Sequence, residues 1–210
     1  MQDYPNKELV ISYQIKDLVT KHIIDQIESL SEISIIRLER GDEETLGVSR
    51  NNAILASNGA FVCFWDDDDW HSCDRISQQF SVLENSPFKA SILMNVLMYD
   101  EELKQSYYSI SRYFQGTLLC EKEILVQTGF PDLSKGEFDS VISYLLSRNV
   151  LFHILDAPNL YIFMYHGNNV LSDAYFNHTL LQSILLDQDF DQKIRNLTDP
   201  QKYKLKNLSE

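Results

Sequence analysis

Four consecutive aspartates, Asp66-Asp67-Asp68-Asp69, directly follow the apolar run Ala60-Phe61-Val62-Cys63-Phe64-Trp65. Such a run has the length and character of a strand buried in a parallel sheet with helices on both faces. Acids at its end stand where open α/β sheets bind their ligands, at the carboxyl ends of strands. If strand alternation carries through, Asp66 and Asp68 point to the same face. Two carboxylates so placed repel each other unless a proton or a cation compensates. Hard oxygen donors suit Mg2+ or Mn2+, which commonly join one or two carboxylates to substrate phosphates. The run reads as a metal–diphosphate site, against the plainer alternative of a solvated acidic loop. His71 and Cys73, just beyond it, are two soft-metal ligands, too few to define a zinc site. Asp187, Asp189 and Asp191 alternate as in a calcium loop. Gln192 at its sixth position and Thr198 at its twelfth, in place of Gly and Glu, exclude that reading.

The elements expected to position these residues alternate strand and helix through the first half. Leu9-Val10-Ile11 reads as a buried strand behind the Tyr4-Pro5-Asn6 turn, and Asp17 as the cap of a helix carrying Val19, Ile23, Ile27 and Leu30. Ile33 to Leu38 is a second strand, rich in β-branched residues. Gly47 to Ser57 reads as a helix, with Gly59 as its stop. Past the aspartates, a helix is expected from Asp74 to Leu83. Ile92 to Tyr99 and Ser106 to Cys120 read as extended. Glu121 to Gln127 reads as a short helix closed by Gly129, and another helix begins near Gly136. Leu151 to Tyr165 returns to strand, and Leu171 to Leu186 reads as one long terminal helix. The class is α/β, a parallel half followed by a mixed one, in a single domain over 1–210. Its donor and metal half is expected over 1–100, an acceptor-side half over 101–170 and a helical segment over 171–210.

Composition narrows the function. The chain has 210 residues, with 18 Lys and Arg against 31 Asp and Glu, a net charge of −13. That charge repels phosphate backbones, and no basic patch offsets it, so nucleic-acid binding is excluded. The Lys202, Lys204, Lys206 tail is too short to change this. No apolar run nears the ~18 residues of a membrane span, and the first residues lack the parts of a signal peptide. Cys63, Cys73 and Cys120 are odd in number and widely spaced, which argues against a disulfide framework. A cytoplasmic protein is expected, with association at the membrane surface left open.

Three segments together carry a family resemblance. They are Tyr4-Pro5-Asn6-Lys7-Glu8-Leu9-Val10-Ile11, Leu46-Gly47-Val48-Ser49-Arg50-Asn51-Asn52-Ala53, and Gly59 through the aspartates to Trp70. In order and spacing they resemble the family 2 glycosyltransferases, with their approach to a strand, "G-x-x-R-N" helix and "D-x-D-D" strand end. The resemblance implies a GT-A type, Rossmann-like, mostly parallel sheet flanked by helices. It implies a divalent cation and sugar transfer from a nucleotide-diphosphosugar, a UDP-sugar first, to a polysaccharide or glycoconjugate acceptor, with inversion. By the same match Asp66 faces the ribose or the metal, Asp68 is the main metal ligand, Asp69 stands near the donor sugar and Arg50 contacts a phosphate or the ribose. Lys135-Gly136-Glu137-Phe138-Asp139 resembles the family's "G-E-D", whose last acid is the general base. Phe138 occupies that position here, leaving Glu137 and Asp139 as candidates. A one-residue shift turns a helical side chain by about 100°. Tyr165-His166-Gly167-Asn168-Asn169 resembles the segment after the acceptor region, where His166 meets the metal or diphosphate.

Two departures from the family accompany the match. The strand and helix that normally precede the "YPN" turn are missing, and Ser12 to Asp17 replaces the family's "D-D-G-S", with Asp17 a candidate for one nucleotide-contacting acid. Loss of a central strand exposes backbone groups on both neighbours. The expectation is therefore a truncated product, or a chain that closes the gap by rearrangement or self-association. A non-catalytic glycosyltransferase-like domain kept for binding is the competing expectation.

Overall fold

The computed structural model describes residues 2–30, 33–167, 169 and 173–199. The chain forms two compact units, each built from three stretches: Met1–Phe64, Ile76–Ile92 and Gln115–His153 in one, Trp65–Arg75, Leu93–Phe114 and Ile154–Glu210 in the other. These stretches interleave along the chain.

In the first unit, β1 (Glu8–Gln14) and β2 (Ser34–Arg40) pair in parallel from Glu8↔Ser34 to Gln14↔Arg40, joined by α1 (Leu18–Leu30). Asp17 caps α1, accepting from Thr20 N at 2.9 Å and Thr20 Oγ1 at 2.7 Å. Among the described side chains of α1, Ile24 is buried, while the expected inward residues Val19 and Ile23 are exposed; that of Leu30 lies outside the described ones. Next, α2 (Leu46–Ala56) starts at a Thr45 cap that accepts from Val48 N. Ser57, not Gly59, ends it, since the Ser57 N–H returns to Ala53 O and its backbone is already extended.

β3 (Phe61–Cys63) then pairs antiparallel with β8 (Leu119–Glu121), and β8 with β5 (Ala90–Leu93), in a sheet of order β3-β8-β5-β9 closed by β9 (Leu151–Ile154). α4 (Lys122–Thr128) stops at Gly129, whose φ of 64° suits glycine, as the sequence predicts. α5 (Asp139–Ser147) turns Val141, Ile142 and Leu145 into the core, each worth about 1.5–3 kcal/mol on burial. The 3-10 turn Gln115–Thr117 breaks the extended stretch expected over 106–120.

β1 and β3 lie in separate sheets. Away from β2, β1 has no strand partner among the described residues, and neither has β3 away from β8. Both apolar strands are consequently only half-buried, whereas all of β5 is buried. The Glu8 carboxylate ties the start of β1 to the approach of β3, accepting from Asn58 Nδ2 at 2.9 Å and Gly59 N at 2.8 Å.

In the second unit, β4 (Trp70–His71), β6 (Leu97–Asp100), β7 (Gln105–Tyr108), β10 (Tyr161–Tyr165) and β11 (Ile184–Leu185) form a sheet of order β11-β7-β6-β10-β4. β6 and β10 run parallel, and the other three pairs are antiparallel. Strands expected as single runs are split: β5 and β6 share one, and a 3-10 turn at Pro158–Leu160 separates β9 from β10. The terminal helix expected over 171–186 ends at Gln182 as α6 (Asp173–Gln182), where β11 follows, and a further helix, α7 (Gln188–Thr198), comes after it. Asp187, from the rejected calcium pattern, caps α7, and Asp191 accepts from Ser106 N at 2.7 Å. Leu160, Met98, Phe176 and Ile162 fill the core on the two sides of this sheet. α3 (Arg75–Ser81) follows β4 in the chain. The tail lysines Lys202, Lys204 and Lys206 lie outside the described residues, as do Leu171 and Asn168. Among the described residues no helix is long and apolar enough to cross a membrane.

Candidate functional site

The acidic loop leaves the strand before its aspartates begin. β3 ends at Cys63, and Asp67 and Asp68 sit in a turn, so strand alternation does not set their directions. Asp66 is half-buried and Asp68 exposed. His166 Nε2 stands 3.3 Å from Asp68 Oδ2, so two of the three residues matched to metal binding, Asp66, Asp68 and His166, meet. Asn169 Nδ2 lies 3.4 Å from the same oxygen.

Asp69 has a different task from the one expected beside a sugar. Its Oδ1 accepts from Met164 N at 2.8 Å, and its Oδ2 accepts from the Tyr161 hydroxyl. Burial pushes its carboxyl up to about 8, and the neighbouring charges of Asp66 and Asp68 push the same way against the two hydrogen bonds. Tyr161 is itself raised, by burial first and then by Asp69, so its hydroxyl keeps the proton it donates.

The other end of the loop is held by His71. Its Nδ1 lies 2.6 Å from Arg75 Nη1, and its Nε2 lies 3.1 Å from the Asp66 carbonyl oxygen. An arginine only donates and a carbonyl only accepts, so the ring is neutral with its proton on Nε2. Burial, then the Arg75 charge, lowers its pKa to about 3. The ring stacks 3.8 Å from Trp65, and the buried Arg75 guanidinium lies over both Trp65 and Tyr161. His71 is thus engaged at both ring nitrogens, and Cys73 beyond it is exposed.

The first unit resolves the "G-x-x-R-N" helix into an anchor. Gly47 passes so close to the following loop that a Cβ would lie 1.8 Å from Pro131 O, and its N–H donates to Leu133 O at 2.9 Å. The Asn51 amide pairs with the Phe130 backbone in both directions, donating to its oxygen at 2.9 Å and accepting from its nitrogen at 2.8 Å. Arg50 Nε donates to Glu137 Oε1 at 3.1 Å while its guanidinium lies 4.6 Å from the Phe138 ring centre. All three motif residues thus hold residues 130–138 against α2. Arg50, expected on a phosphate or ribose, is committed to a buried carboxylate and an aromatic cluster of Phe64, Phe130 and Phe138.

The two base candidates part company here. Glu137 is 6% exposed and paired to Arg50. Asp139 is exposed on the first turn of α5, and its Oδ1 accepts from Gln115 Nε2 at 2.8 Å. Phe138, at the family's base position, is core. Asp17, the candidate nucleotide contact, spends both oxygens on Thr20, bonds that hold its carboxyl below the usual range.

A profile described as "Glycosyl transferase family 2" matches residues 1–139. The chain belongs to this family. Among curated protein sequences, none matches it. The fold is that of GT-A type glycosyltransferases. TarS 1-349 of S. aureus, solved with UDP, has a TM-score of 0.60 and 16% identity, the alignment covering 98% of this chain and 69% of that one. The same protein with UDP-GlcNAc gives 0.61 and 16%, over 92% and 63%. The Pyrobaculum calidifontis mannosyltransferase PcManGT, in complex with GDP-Man and Mn2+, gives 0.62 and 16%, over 92% and 57%.

The donor set decides what such a family member could hold. Among the described residues, no three His, Cys, Asp or Glu side chains gather closely enough to hold a metal by themselves. The Asp68–His166 pair, one carboxylate and one imidazole, fits an open divalent-cation site such as one for Mn2+, with the remaining ligands from phosphates and water, and not a closed structural site. Residues the sequence reading missed are Tyr161, Arg75, Trp65 and Asn169. A tyrosine in an apolar strand carries one signal, because a buried hydroxyl needs a partner.

Proposed function

We propose that the chain transfers a sugar from a nucleotide-diphosphosugar to a hydroxyl of a polysaccharide or glycoconjugate acceptor, with a divalent cation and with inversion. The observation that carries this reading is the meeting of Asp68 and His166 at the acidic loop of a family 2 glycosyltransferase. Asp68 and His166 would hold the cation, with Asp66 beside them on the loop. When bound, the cation neutralises charge growing on the departing nucleoside diphosphate. UDP-sugars and GDP-mannose are the donors to try first and Mn2+ the first cation, on the strength of the complexes of TarS and the mannosyltransferase.

For the base we assign Asp139 over Glu137. A base must meet the acceptor hydroxyl and take its proton as the oxygen bonds to the anomeric carbon and the bond to the diphosphate breaks. Asp139 is exposed and oriented by Gln115, whereas Glu137 is buried and its charge is spent on Arg50. Turnover of a panel of nucleotide sugars with Mn2+ tests the assignment. Asp139→Asn should abolish it, and loss in Glu137→Gln with a fully active Asp139→Asn would reverse it.

A second reading is a non-catalytic domain that binds or self-associates. Phe138, packed between Phe64 and Phe130 at the family's base position, favours it, as do the unpartnered edges of β1 and β3 among the described residues. Absence of metal-dependent nucleotide binding under every condition would support it.

A further inference from the structure

The end of β10 is tied to the acidic loop through a single residue. Met164 donates its N–H to Asp69 and receives Asn169 Nδ2 at its carbonyl oxygen, at 2.9 Å. The same Asn169 amide reaches both members of the proposed cation pair. Its Oδ1 accepts from the His166 N–H at 3.0 Å, and its Nδ2 faces Asp68 Oδ2 at 3.4 Å. A carboxamide is the one side chain that can do all of this at once, with an accepting oxygen for the amide and two donor hydrogens for two oxygens. Asp68 and His166 come from segments almost a hundred residues apart in sequence, 98 by their numbering, so their spacing depends on what fixes them locally.

We propose that Asn169 is a positioning residue that sets the Asp68–His166 spacing for a hard divalent cation, with Met164 as its backbone anchor. The inference rests on the reading of Asp68 and His166 as the cation pair. Asn169 touches neither donor nor acceptor in this account. It holds His166 from the main chain and Asp68 from the carboxylate, and removing it frees both. Groups of this kind behind metal ligands typically carry a tenfold to hundredfold share of affinity.

The test titrates Mn2+ into the full chain with UDP present, for wild type, Asn169→Ala and Asn169→Ser, by calorimetry and by the Mn2+ EPR signal. The serine hydroxyl is too short to span from His166 to Asp68. Both variants should bind Mn2+ about tenfold or more weakly while keeping the wild-type unfolding midpoint. The His166 amide should lose its protection from hydrogen exchange in both. Wild-type Mn2+ affinity in either folded variant would overturn the assignment and leave the donor-site reading standing. A wild type that binds no Mn2+ in the presence of UDP would overturn both.

Discussion

Replacing Asp69 by asparagine should flatten the dependence of stability on pH between 6.5 and 8. The Asp69 carboxyl has a pKa of about 8 in the folded chain, against about 3.9 in an unfolded one. Between those limits the folded state holds a proton that the unfolded state has released, so stability falls as pH rises, by about 1.4 kcal/mol per unit. His71 works the other way. Its pKa of about 3 lies below the ordinary histidine value, so the unfolded chain takes up a proton below pH 6.5 and stability rises with pH up to there. The two slopes cancel below pH 6.5 and only that of Asp69 remains above it. The loss from pH 6.5 to 8 amounts to about 2 kcal/mol. The carboxamide of Asp69→Asn would carry no titrating proton while still offering an oxygen to Met164 N. Urea unfolding of both proteins at pH 6.5 and 8.0, with EDTA present, measures the difference in slopes. Equal pH slopes in wild type and Asp69→Asn would refute the buried-acid account of this loop.

Gly47→Ala should cost about 2–4 kcal/mol in denaturant unfolding, because its Cβ would sit 1.8 Å from a carbonyl oxygen that the Gly47 N–H bond to Leu133 holds near. Arg50→Leu should cost about 3 kcal/mol by leaving Glu137 buried without its partner, and adding Glu137→Gln should recover part of it. No recovery in the double variant would mean the pair is not what Arg50 contributes. Asp17→Ala should lower the melting temperature and leave nucleotide affinity untouched, since its oxygens cap α1. Loss of nucleotide binding with normal stability would return Asp17 to the donor site.

The sequence carries the order of elements well, because caps and stops such as Asp17 and Gly129 are local signals that the fold keeps, whereas the apolar period of α1 misplaces its inward face, which buries Ile24 and leaves Val19 and Ile23 exposed. It also names Asp68 and His166 through separate motifs, and the two lie 3.3 Å apart. What it hides is nonlocal. That Asp69 turns inward depends on Tyr161 and Met164, more than ninety residues on, and nothing in four identical aspartates distinguishes one from another. Arg50 looks like a ligand-binding residue in its motif, yet its partner is the buried Glu137, and the neighbouring Asn51 pairs with the Phe130 backbone. The helix α7 carries Phe190, Ile194 and Leu197 at spacings of four and three, beside the alternating Asp187, Asp189 and Asp191. The separation of β1 from β3 follows from pairing alone, which strand propensity does not report.

The affinity of the chain for UDP with and without Mn2+, in wild type and in Asp68→Ala, tests the cation site most directly. Wild-type binding should strengthen at least tenfold with Mn2+, and the Asp68→Ala variant should lose that gain. UDP binding that ignores Mn2+, or a gain that survives the loss of Asp68, would contradict the proposed cation site.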